Sequence, residues 1–302
     1  MKIAVVDIGT NSTRLLIADV HDGRVDELDR RTTVTRLGEG LEASGRLSEA
    51  AMARVAAALA EYRVAIDAQG GERVVAVATS AMRDAANGPD FRDEIERRLG
   101  MDARTISGDE EARLMFLGAT AGRAEEADTL VIDIGGGSTE YVVGRPGANP
   151  RFHVSTRMGS VRHTERHLHG DPPSEAELEA LAADAREIVD AVPAEIRHGV
   201  AAGIAVAGTA TSLASIDQEL EPYDPERVHG YRLGLDSCAA LLARLASLTV
   251  AQRRELAGLH PDRAPTIVAG AGILLESMRA FGLDAIEISE TDILHGAALS
   301  AA

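Results

Sequence analysis

Two stretches of the chain align without a gap. Residues 5–17 read VVDIGTNSTRLLI and residues 131–143 read VIDIGGGSTEYVV. Each passes from apolar residues through Asp-Ile-Gly to Ser-Thr, one charged residue and apolar residues again. Asp7 and Asp133 therefore close strand-like runs just before two small-residue turns, Gly9-Thr10-Asn11-Ser12 and Gly135-Gly136-Gly137-Ser138-Thr139. A glycine inside a strand or hairpin costs roughly 0.5–1 kcal/mol relative to alanine. A tight turn needs one or two of them for positive φ, and a third implies that the backbone must come close to something. Successive N–H groups at such a turn, with Ser and Thr hydroxyls beside them, make an anion cradle. Two cradles facing one cleft would hold a phosphate chain from both sides.

The acidic residues around the turns have chemistry of their own. Oxygen ligands completed by phosphate and water are what Mg²⁺ takes. Asp133, with Glu140 seven residues on across the hairpin, reads as a metal pair. For Asp7 a metal role and a turn-capping role stand level. Asp109, Glu110 and Glu111 share the first turn of one expected helix. The helix dipole accounts for two of them, while a carboxylate beside a phosphate cleft can also deprotonate water. Arg83 follows a buried strand, and its planar permanent charge suits a terminal phosphoryl group as well as it suits a plain surface. His163 and His167 share a helical face with His169 close by, but no cysteine or carboxylate pattern completes a zinc set. Cys238 has no nucleophile context and reads as packing.

Elements that could position these residues follow from periodicity. KIAVVDIG and STRLLIADV form a hairpin, and GRVDELDRRTTVTRL a third strand. A helix starts at Ser48, with Met52, Val55, Leu59, Tyr62 and Ile66 on one face. RVVAVATSAMRDA is a buried strand, a turn and a helix, DARTIS a short strand, and GDEEARLMFLGATA a helix. The second half repeats the order: TLVIDIGGGSTEYVVGR as a hairpin, NPRFHVSTRM as a third strand, and GIAVAGTATSLAS as strand, turn and helix. Helices are expected at SVRHTERHLHG, at SEAELEALAADAREIVDAV behind an Asp-Pro-Pro-Ser cap, near 236–246, 249–256 and 263–280, and at the ETDILHGAALSAA stretch after the strand AIEIS. The expected fold class is α/β, with two duplicated domains over 1–124 and 125–302 and a cleft between them. The boundary is placed in the charged stretch 123–128, and the final helix is allowed to pack back on the first domain.

Composition limits the remaining options. The 302 residues carry a formal net charge of −17, which repels nucleic acid and anionic membranes. Lys2 is the single lysine, so neither a Walker-type phosphate loop nor Schiff-base chemistry fits. No apolar run approaches the roughly 18 residues of a membrane span, the start leaves no room for a signal peptide, and one cysteine rules out an internal disulfide. A cytoplasmic location is the expectation.

With those residues in view, the chain resembles the Ppx/GppA phosphatases, exopolyphosphatases and guanosine pentaphosphate phosphatases of the actin/sugar-kinase/Hsp70 superfamily. The resemblance covers nearly the whole chain. It rests on VVDIGTNSTRLLIADV, VAVATSAMRDAAN, ISGDEEARLMFLGA, VIDIGGGSTEYVVG, STRMGSVRHTE, IAVAGTATSLAS, YDPERVHG and ISETDILHG. It implies two ribonuclease-H-like (actin-like ATPase) domains and Mg²⁺, with Mn²⁺ as a substitute. It implies Glu111 as the base that activates water, Arg83 as a phosphate-holding arginine, and Asp133, Glu140 and Asp7 as the metal-associated carboxylates. Gly9 to Ser12 and Gly135 to Thr139 become the phosphate loops, with Gly208 and Thr209 where related folds approach a nucleotide. The implied reaction is hydrolysis of the terminal phosphoanhydride of inorganic polyphosphate, with short chains favoured because the helical domain of longer members is absent. A pppGpp 5′-phosphatase is the alternative, and an actin-like ATPase or sugar kinase, or a sensing module, is more distant. A homodimer stays open. Leu294 stands where the family often has arginine in an LREG motif.

Overall fold

The computed structural model describes residues 1–123 and 127–302, and the chain divides into two compact units, Met1–Ala124 with Asp292–Ala302, and Glu125–Thr291. The boundary expected over 123–128 falls largely on residues 124–126, outside the described residues.

In the first unit, β1 (Lys2–Ile8), β2 (Ser12–His21), β3 (Arg24–Val34), β4 (Arg73–Ala78) and β5 (Ala103–Thr105) form one sheet in the order β3-β2-β1-β4-β5. β1 pairs antiparallel with β2 and parallel with β4. A central strand covered on both faces must be apolar nearly throughout, and residues 3–8 of β1 are all buried. Only Asp7 breaks that run. β3 lies at the edge and carries the exposed charges Arg24, Asp26, Glu27 and Arg31, which discourage pairing with other chains. The helix Glu49–Gln69 is capped by Ser48, whose side chain accepts from the Ala51 N–H, and buries Val55, Leu59, Tyr62 and Ile66.

The second unit repeats the plan. β6 (Thr129–Ile134), β7 (Thr139–Gly144), β8 (Phe152–Thr156), β9 (Ala202–Val206), β10 (Arg232–Gly234) and β11 (Ala285–Ile288) run in the order β10-β11-β9-β6-β7-β8. β6 is antiparallel to β7 and parallel to β9, as β1 is to β2 and β4. The duplication read from the sequence is therefore a duplication of topology: a three-strand meander, then parallel strands joined through helices. β10 is an extra edge strand in a stretch that the sequence shows only as polar. The helix Gly88–Leu99 was likewise not evident, because it is dense in charge and buries only Gly88, Phe91 and Ile95. The expected helices at 249–256 and 263–280 shorten to Val250–Arg253 and Ile267–Ala280, with a 3₁₀ turn at Pro261–Arg263.

The helix Ile293–Ala301 belongs to the first unit. It packs against the helix Gly108–Thr120 through two glycines: a Cβ on Gly118 would collide with the Asp292 carbonyl, and one on Gly296 with that of Leu114. No helix among the described residues is long and apolar enough to cross a membrane. Because backbone meets backbone at this crossing, Gly296→Val should cost about 2 kcal/mol and lower Tm by roughly 4–8 °C. A thermal melt checks this; an unchanged Tm would show that the helices can separate freely.

Candidate active site

Register places the two aspartates identically. In β1/β2, Asp7 stands directly opposite Arg14; in β6/β7, Asp133 stands directly opposite Glu140. Residues opposite each other on antiparallel strands share a face. The first hairpin thus sets a cation against its aspartate, and the second sets a like charge. Asp133 is 7% exposed and Glu140 1%. The Ser155 hydroxyl, from the register neighbour of Glu140 on β8, donates to Glu140 Oε1 at 2.7 Å. Two hard oxygen-donor side chains on one face are the kind of ligand a divalent cation takes.

The turns that follow are built alike. Gly9 N–H donates to Ser12 O, and Gly135 N–H to Ser138 O, each at 3.0 Å. Neither glycine adopts positive φ, which corrects the expectation of left-handed turns. Instead a Cβ would crowd the serine carbonyl, at 2.9 Å from Gly9 and 3.2 Å from Gly135. The turn carbonyls are anchored from behind. Gly135 O accepts from Ser160 N–H, and Gly136 O from Val161 and Arg162 N–H, at the start of the helix Ser160–His167. Arg162 Nε donates to Gly137 O at 2.9 Å. In the first unit Asn11 O accepts from Thr35 and Arg36 N–H, and Thr10 O from Gly38 N–H. In a trans peptide the C=O and the following N–H point opposite ways. Tying the carbonyls inward therefore turns the N–H groups of Gly136, Gly137, Ser138, Asn11 and Ser12 outward, the orientation an anion cradle needs. The Thr139 hydroxyl is spent on Met158 O at 2.6 Å.

Of the three acids in the first turn of Gly108–Thr120, burial selects one. Glu110 is held by Arg104 through two hydrogen bonds of 3.0 and 2.7 Å, and Asp109 is exposed. Glu111 is buried and takes Arg83 Nη1 at 3.0 Å on Oε2; the same nitrogen reaches Ile106 O. Burial pushes the Glu111 carboxyl up to about 7, against the lowering pull of Arg83, while the nearby charge of Asp7 raises it further. A carboxyl that titrates near neutrality beside a fixed cation can exchange a proton with water at working pH.

Gly208 and Thr209 lie in the first turn of the helix Ala207–Asp217, behind Ala207 at φ 64°. A β-carbon on Gly208 would overlap the Arg263 guanidinium, so this glycine is a seat for an arginine that the sequence did not single out. The histidines gain a carboxylate that spacing could not reveal. Asp184 Oδ2 lies 2.7 Å from His167 Nε2 and 3.5 Å from His163 Nε2, and these three ligand atoms lie within 4.8 Å of one another. However, His163 Nδ1 accepts from Gly159 N–H at 3.4 Å, which puts the ring proton on Nε2, where a metal would have to bind. Arg166 also occupies Asp184 at 3.1 Å. The group reads as a hydrogen-bonded cluster. His169 contributes only its backbone N–H, to Glu177.

Residues 16–302 match the model of the Ppx/GppA phosphatase family. The chain belongs to the Ppx/GppA family. It is 38% identical to exopolyphosphatase 2 of Mycobacterium tuberculosis, over all of this chain and 98% of that protein. Among solved structures, the Aquifex aeolicus family member superposes with a TM-score of 0.84 at 31% identity, covering 100% of this chain and 97% of that one. An exopolyphosphatase from Cytophaga hutchinsonii gives 0.90 at 28% identity, with coverage of 100% and 98%. The α/β architecture of two similar units is thus the family's own.

The raised Glu111 carboxyl has a consequence for stability. Between about 4.5 and 7 the native chain keeps a proton that the unfolded chain has released, so this group's contribution falls as pH rises through that window. Glu111→Gln should therefore be more stable than the parent at pH 8 by on the order of 1 kcal/mol or more, with the difference vanishing near pH 4. Denaturant melts at the two pH values measure it.

Proposed function

We propose that the protein is an exopolyphosphatase that hydrolyses the terminal phosphoanhydride of inorganic polyphosphate and releases orthophosphate. The observation that carries this is Glu111, a single buried acid selected from three, poised near neutrality and held by Arg83, in a chain whose 38% identical relative is named an exopolyphosphatase. In this reading Glu111 takes the proton of the attacking water. Arg83, bound to Glu111 and to Ile106 O, positions that base and offers its remaining N–H groups to a phosphate oxygen. The outward N–H groups of Asn11 and Ser12 in the first unit, and of Gly136, Gly137 and Ser138 in the second, would each take phosphate oxygens, with Gly208 and Thr209 as a further backbone contact in the second unit. Asp133 and Glu140 of the second unit would hold Mg²⁺, or Mn²⁺ in its place, and Asp7 offers a carboxylate in the first unit. When bound, the cation would neutralise charge on the phosphate oxygens. Phosphoryl transfer asks mostly for positioning and charge stabilisation, and the chain's net charge of −17 makes those local donors necessary. The family name covers pppGpp 5′-phosphatases as well, and the same residues would serve that terminal phosphate.

Phosphate release from short and long polyphosphate, pppGpp and ATP, with Mg²⁺ and with EDTA, tests the reading. Release from polyphosphate that EDTA abolishes is expected; activity on pppGpp alone would move the assignment to the second substrate. Glu111→Ala should lower turnover by about 10²–10⁴ without loss of fold, and near-normal turnover would remove Glu111 from its role. Because Arg83 pulls the Glu111 carboxyl down, Arg83→Gln should move the acid limb of kcat/KM to higher pH. A limb that stays in place would show that Glu111 is not the group being titrated.

A further inference from the structure

Arg14 occupies in the first hairpin the register position that Glu140 occupies in the second, yet its guanidinium is not offered to solvent. The side chain is 13% exposed and lies between two carboxylates. Its Nε and Nη2 both donate to one oxygen of Asp7, Oδ2, at 2.9 and 2.7 Å. Its Nη1 donates to Asp292 Oδ2. Asp292 is itself fixed, because it caps the helix Ile293–Ala301 and its Oδ1 accepts from Leu294 N–H at 3.0 Å. Arg14, Arg30 and His295 outweigh the burial of Asp292 and keep its carboxyl below the ordinary range.

This clamp is lopsided. An arginine fork usually gives one N–H to each carboxylate oxygen. Here both go to Oδ2, and Asp7 Oδ1 is buried with no hydrogen-bond partner, in a residue that is 4% exposed. A bare carboxylate oxygen in the interior is costly, and such exceptions call for an occupant. Asp292 thus holds the same guanidinium whose other two nitrogens cover Asp7 Oδ2.

We infer that Asp292 and Arg14 are positioning residues which hold Asp7 by Oδ2 so that Oδ1 stays open to a hydrated divalent cation. This rests on the metal-dependent reading above and extends it to residues from the far end of the chain. Neither residue touches substrate in this scheme. Asp292 acts through Arg14, and Arg14 through Asp7.

The test is a double-mutant cycle of Asp292→Asn, Arg14→Gln and the pair. Asparagine still caps the helix, and Asp292→Ser serves as a second capping variant should the first fail to fold. Two quantities are read: kcat and KM on short polyphosphate, and the Mg²⁺ concentration that half-saturates thermal stabilisation of the protein without substrate. Each single variant should lower kcat roughly 10-fold or more, as loss of a residue that orients a metal ligand does, and raise the Mg²⁺ midpoint, with KM little changed. The pair should be no worse than the more severe single variant, because both break one clamp. Multiplicative losses would overturn the inference. So would a raised KM in Arg14→Gln with a normal or lowered KM in Asp292→Asn, since Arg14 would then be a substrate contact that Asp292 restrains. An inactive wild type that still shows coupled Mg²⁺ midpoints would count against the exopolyphosphatase reading, not against the clamp.

Discussion

A carboxylate can stay ionised inside a protein only if something answers its charge, and that requirement organises both units. Each carries its acid on the central strand of a sheet, next to a turn, with a partner directly opposite in the register. In the first unit burial pushes the Asp7 carboxyl up against the lowering pull of Arg14, and the nearby negative charge of Asp292 raises it further. The second places Glu140 opposite Asp133, so the pair itself is not neutral. Beside these aspartates the central strands are apolar except for Lys2 and Thr129, and all but Lys2 are buried. The same burial raises the Glu111 carboxyl.

The turn architecture follows a second constraint, the directionality of the peptide. Both turns have their carbonyls tied to a neighbouring segment, in one case to the start of the helix Ser160–His167 and in the other to residues 35–38. Gly159 and Gly38 supply the close approach, since a Cβ on Gly159 would collide with Gly136 and one on Gly38 with Thr10. In each turn the N–H groups that follow the tied carbonyls are turned away from that segment. Glycine serves here because it lacks a side chain, not because of a left-handed backbone.

Much of this was legible in the sequence because it is written twice. The Asp-x-Gly repeat, the meander after it and the strand-turn-helix units recur in order, and apolar periodicity placed the central strands and most helices. Burial was not legible. Asp109, Glu110 and Glu111 are equivalent by spacing, and only tertiary packing tells them apart. Partners distant in sequence were also hidden: Asp292 lies 278 residues from Arg14, and Asp184 comes from a different helix than His163 and His167. Helix Gly88–Leu99 escaped because its buried face is narrow within a charged stretch, and Arg263 because nothing nearby marks it as the neighbour of Gly208. In each case the missing information was a contact that no local pattern encodes.

The glycine-to-backbone crossing of Gly118 and Gly296 bears on how the protein is made. The first unit is discontinuous: residues 292–302 complete it after the whole second unit has intervened. A chain emerging from the ribosome folds from its N-terminus onward, yet here the helix bearing Glu111 waits for a partner about 180 residues further along. During that interval the backbone contact that Gly118 and the Leu114 carbonyl make with the final helix is missing. A chain terminated before residue 292 would lack both this contact and the Asp292 hydrogen bond to Arg14.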